Sequence, residues 1–256
     1  MRKSNVLINY PKRVEIIGVP ISAVNMSECL EFVYMNFENI RGEYICASNV
    51  HTTVLAHEQT EYMKVQSESA LSIPDGKPLS VVGKKKGYKD MEKVTGTHLM
   101  QNTFCDARFK GKKHYFYGTT PEVLNKMMNN MKHRYSDVYI CGYEPSVFRP
   151  LSDEEVEELA IRINESEADF VWVGIGAPRQ EFLMNRLKGK IGGVMIGVGG
   201  AFNIIAGIVN DAPMWMQNVG LEWLYRLLKE PKRLFKRYFV TNTKFLIYLF
   251  LDGREK

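Results

Sequence analysis

From residue 114 onward, short apolar runs alternate with longer amphipathic ones. HYFYG, VYICGY, DFVWVGIG and GGVMIGVG read as strands, PEVLNKMMNNMKHRY, SDEEVEELAIRINESE and PRQEFLMNRLKGK as the helices between them, and AFNIIAG as a short closing helix. The strand runs are nearly continuous in apolar residues rather than alternating, which implies burial on both faces and therefore a parallel sheet covered by helices. Ser152 followed three residues later by Glu155 is a capping-box start signal, and Pro178 opens the first turn of the helix that follows. The first hundred residues repeat this logic less regularly. VEIIGVP reads as a strand, Asn25 with Glu28 caps the helix MSECLEFVYMNFENI, and YICAS is a strand running into Asn49 and the helix VHTTVLAHE. A helical EYMKVQSESA, a turn-like SIPDGKP and the helix THLMQNTFCDARF complete this half. The expected fold class is α/β, a parallel sheet wound with helices. One compact core is expected over residues 1–219, with a cleft between its halves, and a separable basic, amphipathic appendage over 220–256.

Composition adds that the chain is an ordinary globular one. Its 256 residues are 45% hydrophobic and 25% charged, which excludes intrinsic disorder for most of the length. Cys29, Cys46, Cys105 and Cys141 are scattered, with neither disulfide-framework nor zinc spacing, as expected in a reducing compartment. The N-terminal stretch lacks an apolar segment of signal-peptide length, and no run reaches the roughly 18 apolar residues of a spanning helix, so a cytoplasmic location is expected.

Charge changes the picture more. Residues 221–256 carry nine Lys or Arg against four acids, so the whole formal excess of +5 lies in the tail. Such asymmetry points to a polyanionic partner, a nucleic acid or an anionic membrane face. Trp223, Leu224, Leu227 and Leu228 at helical spacing, a break at Pro231, then Leu234, Phe235, Tyr238, Phe239 and the run FLIYLFL favour the membrane, with basic residues filling much of the intervening face. A pair of core-packing helices is the plainer alternative.

Two strand ends carry glycine turns, Gly174-Ile175-Gly176-Ala177-Pro178 and Gly197-Val198-Gly199-Gly200-Ala201. Glycine there lets backbone N–H groups approach an anion at a helix N-terminus, so the pair is a candidate pyrophosphate cradle, although tight turns of a sheet explain each one alone. Neither is a GxGxxG with a ribose-binding acid, nor a phosphate-binding loop of the GxxxxGK type, which argues against a dinucleotide-dependent oxidoreductase. Arg179 and Gln180, in the first turn after the first of these, point toward whatever the turns bind, or toward solvent. Asp75 offers a carboxylate on a loop, as a general base requires, and equally forms an ordinary Pro-Asp-Gly turn. Asn49 is either a substrate hydrogen-bonding group or a helix N-cap. His51 and His57, six apart, do not share a helical face, and the chain has no Asp-x-Asp, so no metal site is expected and a leaving diphosphate would rely on Arg, Lys and backbone N–H groups.

Taken in order, PDG (74–76), VTGT (94–97), GxGAPRQE (174–181), GVGGAF (197–202), Ala212-Pro213 and GLEWLYRLxxEPxRLxKRY (220–238) resemble the WecG/TagA/CpsF glycosyltransferase family over roughly residues 14–240. The resemblance implies a Rossmann-like core and an inverting transferase that needs no metal or other cofactor. Such an enzyme moves a sugar, N-acetylmannosamine or a related hexose, from a UDP-sugar to a polyprenyl-diphosphate-linked sugar at the inner membrane face, in teichoic acid, capsule or exopolysaccharide synthesis. It further implies Asp75 as general base, Asn49 lining the pocket, Gln180 near the nucleotide-sugar, and Arg226, Arg233 and Arg237 as basic groups supplied by a membrane-docking appendage. The motifs that carry the resemblance also nominate Gly76, Lys93, Thr95, Gly96, Gly174, Gly176, Pro178, Arg179, Gly199, Gly200 and Phe202 as substrate-binding. Four positions depart from the family pattern. Ala47 replaces a threonine of the teichoic acid branch, Lys93 a common arginine, His98 a frequent acid, and Asp211 an arginine before Ala-Pro. A charge reversal at Asp211 leaves the sugar open. The expected partners are the two substrates and the anionic membrane, without nucleic acid and with self-association left open. A membrane adaptor that binds UDP-sugars without catalysis is the remaining alternative.

Overall fold

The computed structural model describes residues 8–252, the side chains of Asn218 and Arg233 excepted. The expectation for Arg233 therefore falls outside the described residues. In chain order the first half gives β1 (Arg13–Ile16), β2 (Val19–Ser22), α1 (Met26–Met35), β3 (Tyr44–Ser48), α2 (Val50–Glu58), α3 (Thr60–Ser67), β4 (Leu71–Pro74), α4 (Lys77–Lys85) and α5 (Gly96–Cys105). The second gives β5 (Lys113–Gly118), α6 (Pro121–Arg134), β6 (Tyr139–Glu144), α7 (Asp153–Glu165), β7 (Phe170–Gly174), α8 (Arg179–Leu187), β8 (Val194–Gly197) and α9 (Ala201–Ile205). Then come α10 (Met214–Val219), α11 (Glu222–Lys229) and α12 (Pro231–Asp252).

Six strands form one parallel sheet in the order β4-β3-β8-β7-β5-β6. The two halves of the chain are thus knit together where β3 pairs with β8, which makes the core one α/β unit. The period of two along each strand divides the continuous apolar runs between two layers. Ile45, Ile73, Phe116, Phe170, Trp172 and Ile196 face α1, α5, α6 and α9, whereas Tyr44, Cys46, Tyr115, Val171, Val173 and Met195 face α3, α7 and α8. Local start signals hold as read: Asn25 with Glu28 and Ser152 with Glu155 both close reciprocal capping boxes. Cys29, Cys46, Cys105 and Cys141 are free thiols.

Two segments differ from the sequence reading. VEIIGVP is not one strand but a hairpin, β1 and β2 paired antiparallel outside the main sheet, because Ile17 and Gly18 both take positive φ (47° and 75°) and turn the chain in two residues. SIPDGKP is not only a turn: its first part belongs to β4, held by pairing with β3, and Asp75 follows the strand directly.

Glycines set the spacing at the carboxyl ends of the central strands. A Cβ on Gly118 (φ +147°) would stand 2.6 Å from the Gly174 backbone, and one on Gly174 would stand 2.7 Å from the Phe202 ring. Gly118→Ala is therefore expected to cost about 3 kcal/mol in denaturant unfolding, since neither backbone can retreat without unpairing β5 from β7.

The last helix, α12, lies along α2, and its Phe245 joins the core cluster of the β1–β2 hairpin. Leu234 and Phe245 are buried while Phe235, Phe239, Leu246 and Ile247 are exposed, so the helix has one face on the core and one facing outward. Lys244 with Glu58 (2.6 Å) and Lys86 with Asp252 (2.5 Å) fasten its distal half. Among the described residues no helix is long and apolar enough to cross a membrane.

Candidate functional site

The site begins where β3 and β4 end side by side, with Ser48 paired to Pro74. The Asp75 N–H donates to the Ser48 carbonyl (2.7 Å), so Asn49 and Asp75 leave the sheet as neighbours. Asn49 caps α2, its Oδ1 accepting from the N–H groups of His51 (3.0 Å) and Thr52 (3.2 Å). That use occupies only the oxygen; among the described residues its amide nitrogen donates to no protein group. The cap reading and the ligand reading are thus compatible on opposite ends of one side chain.

VTGT builds the other wall. The Val94 N–H donates to the Pro74 carbonyl (3.0 Å), the Thr95 hydroxyl caps α5 by accepting from the His98 N–H (3.1 Å), and the Gly96 N–H donates to the Asp75 carboxylate. A Cβ on Gly96 would lie 3.0 Å from the Val198 Cα, so glycine lets the N-terminus of α5 wedge between Asp75 and the turn after β8. Burial pushes the Asp75 carboxyl up to about 6. Nearby Arg226 opposes that, Glu222 adds to it, and the Gly96 N–H and Lys93 oppose it further, so loss of water outweighs the cations.

Two of these neighbours come from beyond residue 220. Lys93 Nζ lies 2.8 Å from a Glu222 carboxylate oxygen and donates to the Gln217 carbonyl (3.4 Å), which ties α10 and α11 to the wall of the site. Glu222 was not singled out in the sequence. It reads there as an acid favouring a helix N-terminus, and its partner is 129 residues away. Arg226 is exposed yet acts on Asp75. Arg237 reaches the start of α2, where burial first and the Arg237 charge second depress the His51 imidazole. His51 Nδ1 and Arg237 Nε are both buried, with no hydrogen-bond partner among the described residues. Asn49, Asp75, Lys93, Thr95, Gly96, Arg226 and Arg237 are therefore brought together, and Gly76, at φ +145°, makes the corner after Asp75.

The glycine turns after β7 and β8 lie next along the same edge, and here the residues separate. Gln180 is buried and faces inward: its Oε1 accepts from the N–H groups of both Gly176 (3.2 Å) and Gly199 (3.0 Å). It ties the two turns to each other. Arg179 is exposed and donates to the Phe148 carbonyl (2.9 Å), while Pro178 immediately precedes α8. No other atoms crowd Gly176 or Gly200, which leaves open space at both. Gly174 and Phe202 are packing residues instead; Phe202 is fully buried against Gly174 and Phe116, so a ligand at this edge does not reach its ring. Of the four departures, Ala47 is buried in the apolar layer of β3, His98 is half-buried in the first turn of α5, Lys93 holds Glu222, and Asp211 is exposed. Among the described residues no group of three or more His, Cys, Asp or Glu is placed to hold a metal ion.

A carboxyl near neutrality beside several cations, next to turns with open backbone, is an arrangement suited to removing a hydroxyl proton near an anionic leaving group. The chain is 29% identical over 205 residues, 80% of its length and 77% of the relative's, to the N-acetylglucosaminyldiphosphoundecaprenol N-acetyl-beta-D-mannosaminyltransferase of Bacillus spizizenii (strain ATCC 23059 / NRRL B-14472 / W23). It is 26% identical over 223 residues, 85% of its length and 84% of the relative's, to the protein of the same name from Bacillus subtilis (strain 168). The sequence profile of the WecG/TagA/CpsF glycosyl transferase family matches residues 14–256, and the chain belongs to that family of glycosyltransferases.

Proposed function

We propose that the protein transfers a hexose, N-acetylmannosamine or a close relative, from a UDP-sugar to a polyprenyl-diphosphate-linked sugar at the inner face of the cell membrane, with inversion and without a metal. The observation that carries this is the setting of Asp75: half-buried, pushed up to about 6, on the N-terminus of α5 and within the field of Arg226 and Lys93. In this reading the acceptor hydroxyl gives its proton to the Asp75 carboxylate as its oxygen bonds to the anomeric carbon. The bond from that carbon to the diphosphate breaks on the opposite side, and UDP leaves with the electron pair. Arg226, Arg237 and the backbone N–H of Gly200 take the charge that develops on the diphosphate. The named relatives support the acceptor class, and the basic tail with an outward apolar face supports the membrane. Residues 220–256 are in this view the appendage that docks on the bilayer.

The test is UDP release from a panel of UDP-sugars, UDP-N-acetylmannosamine included, with and without a polyprenyl-diphosphate N-acetylglucosamine acceptor in detergent. Release that requires the acceptor, continues in EDTA and yields the opposite anomeric configuration is the expected result. UDP binding without release from any donor would replace the enzyme by a UDP-sugar-binding adaptor.

A further inference from the structure

Among the described residues Glu181 is the one carboxyl with no exposed surface, and the mechanism above does not use it. Its position follows from a hydrogen-bonding constraint. Backbone N–H groups can only donate, so the two that converge from Gly176 and Gly199 oblige Gln180 to turn its carbonyl oxygen toward them. The amide NH2 of Gln180 must then find an acceptor within the interior, and it donates to Glu181 Oε1 at 2.7 Å. The second oxygen of Glu181 is buried and has no hydrogen-bond partner among the described residues. Beside the carboxyl lies the Tyr62 hydroxyl, which accepts from Gln66 Nε2 (3.3 Å), and Gln66 Oε1 accepts from the hydroxyls of Ser48 (2.7 Å) and Ser72 (3.0 Å). A buried polar chain thus runs from the two glycine turns to the strand ends that carry Asn49 and Asp75. Burial pushes the Glu181 carboxyl up to about 7, and in either protonation state Oε1 remains an acceptor.

We propose that Glu181 is a positioning residue for the sugar-nucleotide: by holding the Gln180 amide in one orientation, it fixes the separation of the Gly176 and Gly199 turns and with it the seat of the donor diphosphate. This rests on the donor reading given above. Without an acceptor at position 181, the Gln180 amide is free to rotate and release both turns.

Two variants separate this from a general packing role. Glu181→Gln keeps an oxygen at the Oε1 position, whereas Glu181→Met keeps the volume and loses the acceptor. Amide hydrogen exchange at Gly176 and Gly199, followed by NMR without any ligand, is expected to accelerate at least about tenfold in Glu181→Met and to stay near wild type in Glu181→Gln. The Kd for UDP is expected to rise about tenfold in Glu181→Met alone, with the KM for the polyprenyl acceptor unchanged. Unchanged exchange in Glu181→Met would overturn the proposal, as would a lowered melting temperature with unaltered UDP affinity. Equal losses in both variants would overturn it too, because the charge rather than the acceptor oxygen would then matter. If the wild-type protein fails to bind UDP, the donor reading fails first, and the exchange data still report whether Glu181 holds the turns.

Discussion

Asp75→Asn is expected to lower kcat about 10²- to 10⁴-fold, the usual contribution of a positioned general base. The fold should survive the change, because an asparagine oxygen can still accept from the Gly96 N–H while the buried charge is removed. The pH dependence gives the sign. The wild-type carboxyl titrates at about 6 in the folded protein against an ordinary 3.8, so kcat/KM should rise through pH 6 toward a plateau as the base ionises, and the variant should lack that limb. Stability runs the other way. A raised carboxyl contributes stability in full below pH 3.8 and loses it as pH rises through about 6, so the wild-type melting temperature should fall relative to the variant across that window. Parallel pH series of initial rate and thermal unfolding on both proteins test the two halves of this argument. Equal turnover by the variant would reduce Asp75 to a turn residue that anchors α5.

What the sequence makes legible here is what local pattern controls. DFVWVGIG and GGVMIGVG could be recognised as doubly buried strands because both layers of the sheet are written into one continuous apolar run. LSIP could not, since Ser72 and Pro74 break the run and the segment becomes a strand only by pairing with β3. Asn49 stood out at the end of the YICAS strand and Asp75 only as a carboxylate on a turn; pairing of β3 with β4 is what sets the two side by side at strand ends, where wound sheets bind ligands. Gln180 shows the limit. Its place in the motif suggested contact with the nucleotide-sugar, but its direction depends on two N–H groups from separate turns, one of them 19 residues away, and these draw it inward. Phe202 is placed by a similar demand, since its ring fills the space that Gly174 leaves for want of a side chain. Glu222 showed locally only an acid at a helix start, because its role depends on meeting Lys93 across the fold.

Replacing Phe235 and Phe239 together by serine is expected to weaken binding to anionic vesicles about thirtyfold, equivalent to losing about 2 kcal/mol of apolar burial. Both side chains are exposed, and their rings stack on each other 6.2 Å apart on the face of α12 turned away from the core. At 1.5 Å per residue, the 22-residue helix is about 33 Å long. Because it carries too many charges to span a bilayer, the geometry suits lying flat with Lys232 and Lys236, on the same outward face, at the phosphate level. Each basic residue near an anionic surface adds about 1 kcal/mol, so Lys232→Gln with Lys236→Gln should cost a similar thirtyfold on vesicles rich in acidic lipid and almost nothing on zwitterionic ones. Because these positions lie on the outward face, turnover of an acceptor dispersed in detergent should stay within about twofold of wild type for both pairs, while turnover of the same acceptor in vesicles should fall with binding. The two pairs respond differently to salt: raising it screens the lysine contribution and leaves the phenylalanine one, so the serine variant should keep a steeper salt dependence than the glutamine variant. Vesicle binding unaffected by either pair would mean that the outward face of α12 meets something other than lipid, and sedimentation of the free protein would then show whether it is a second copy of the chain.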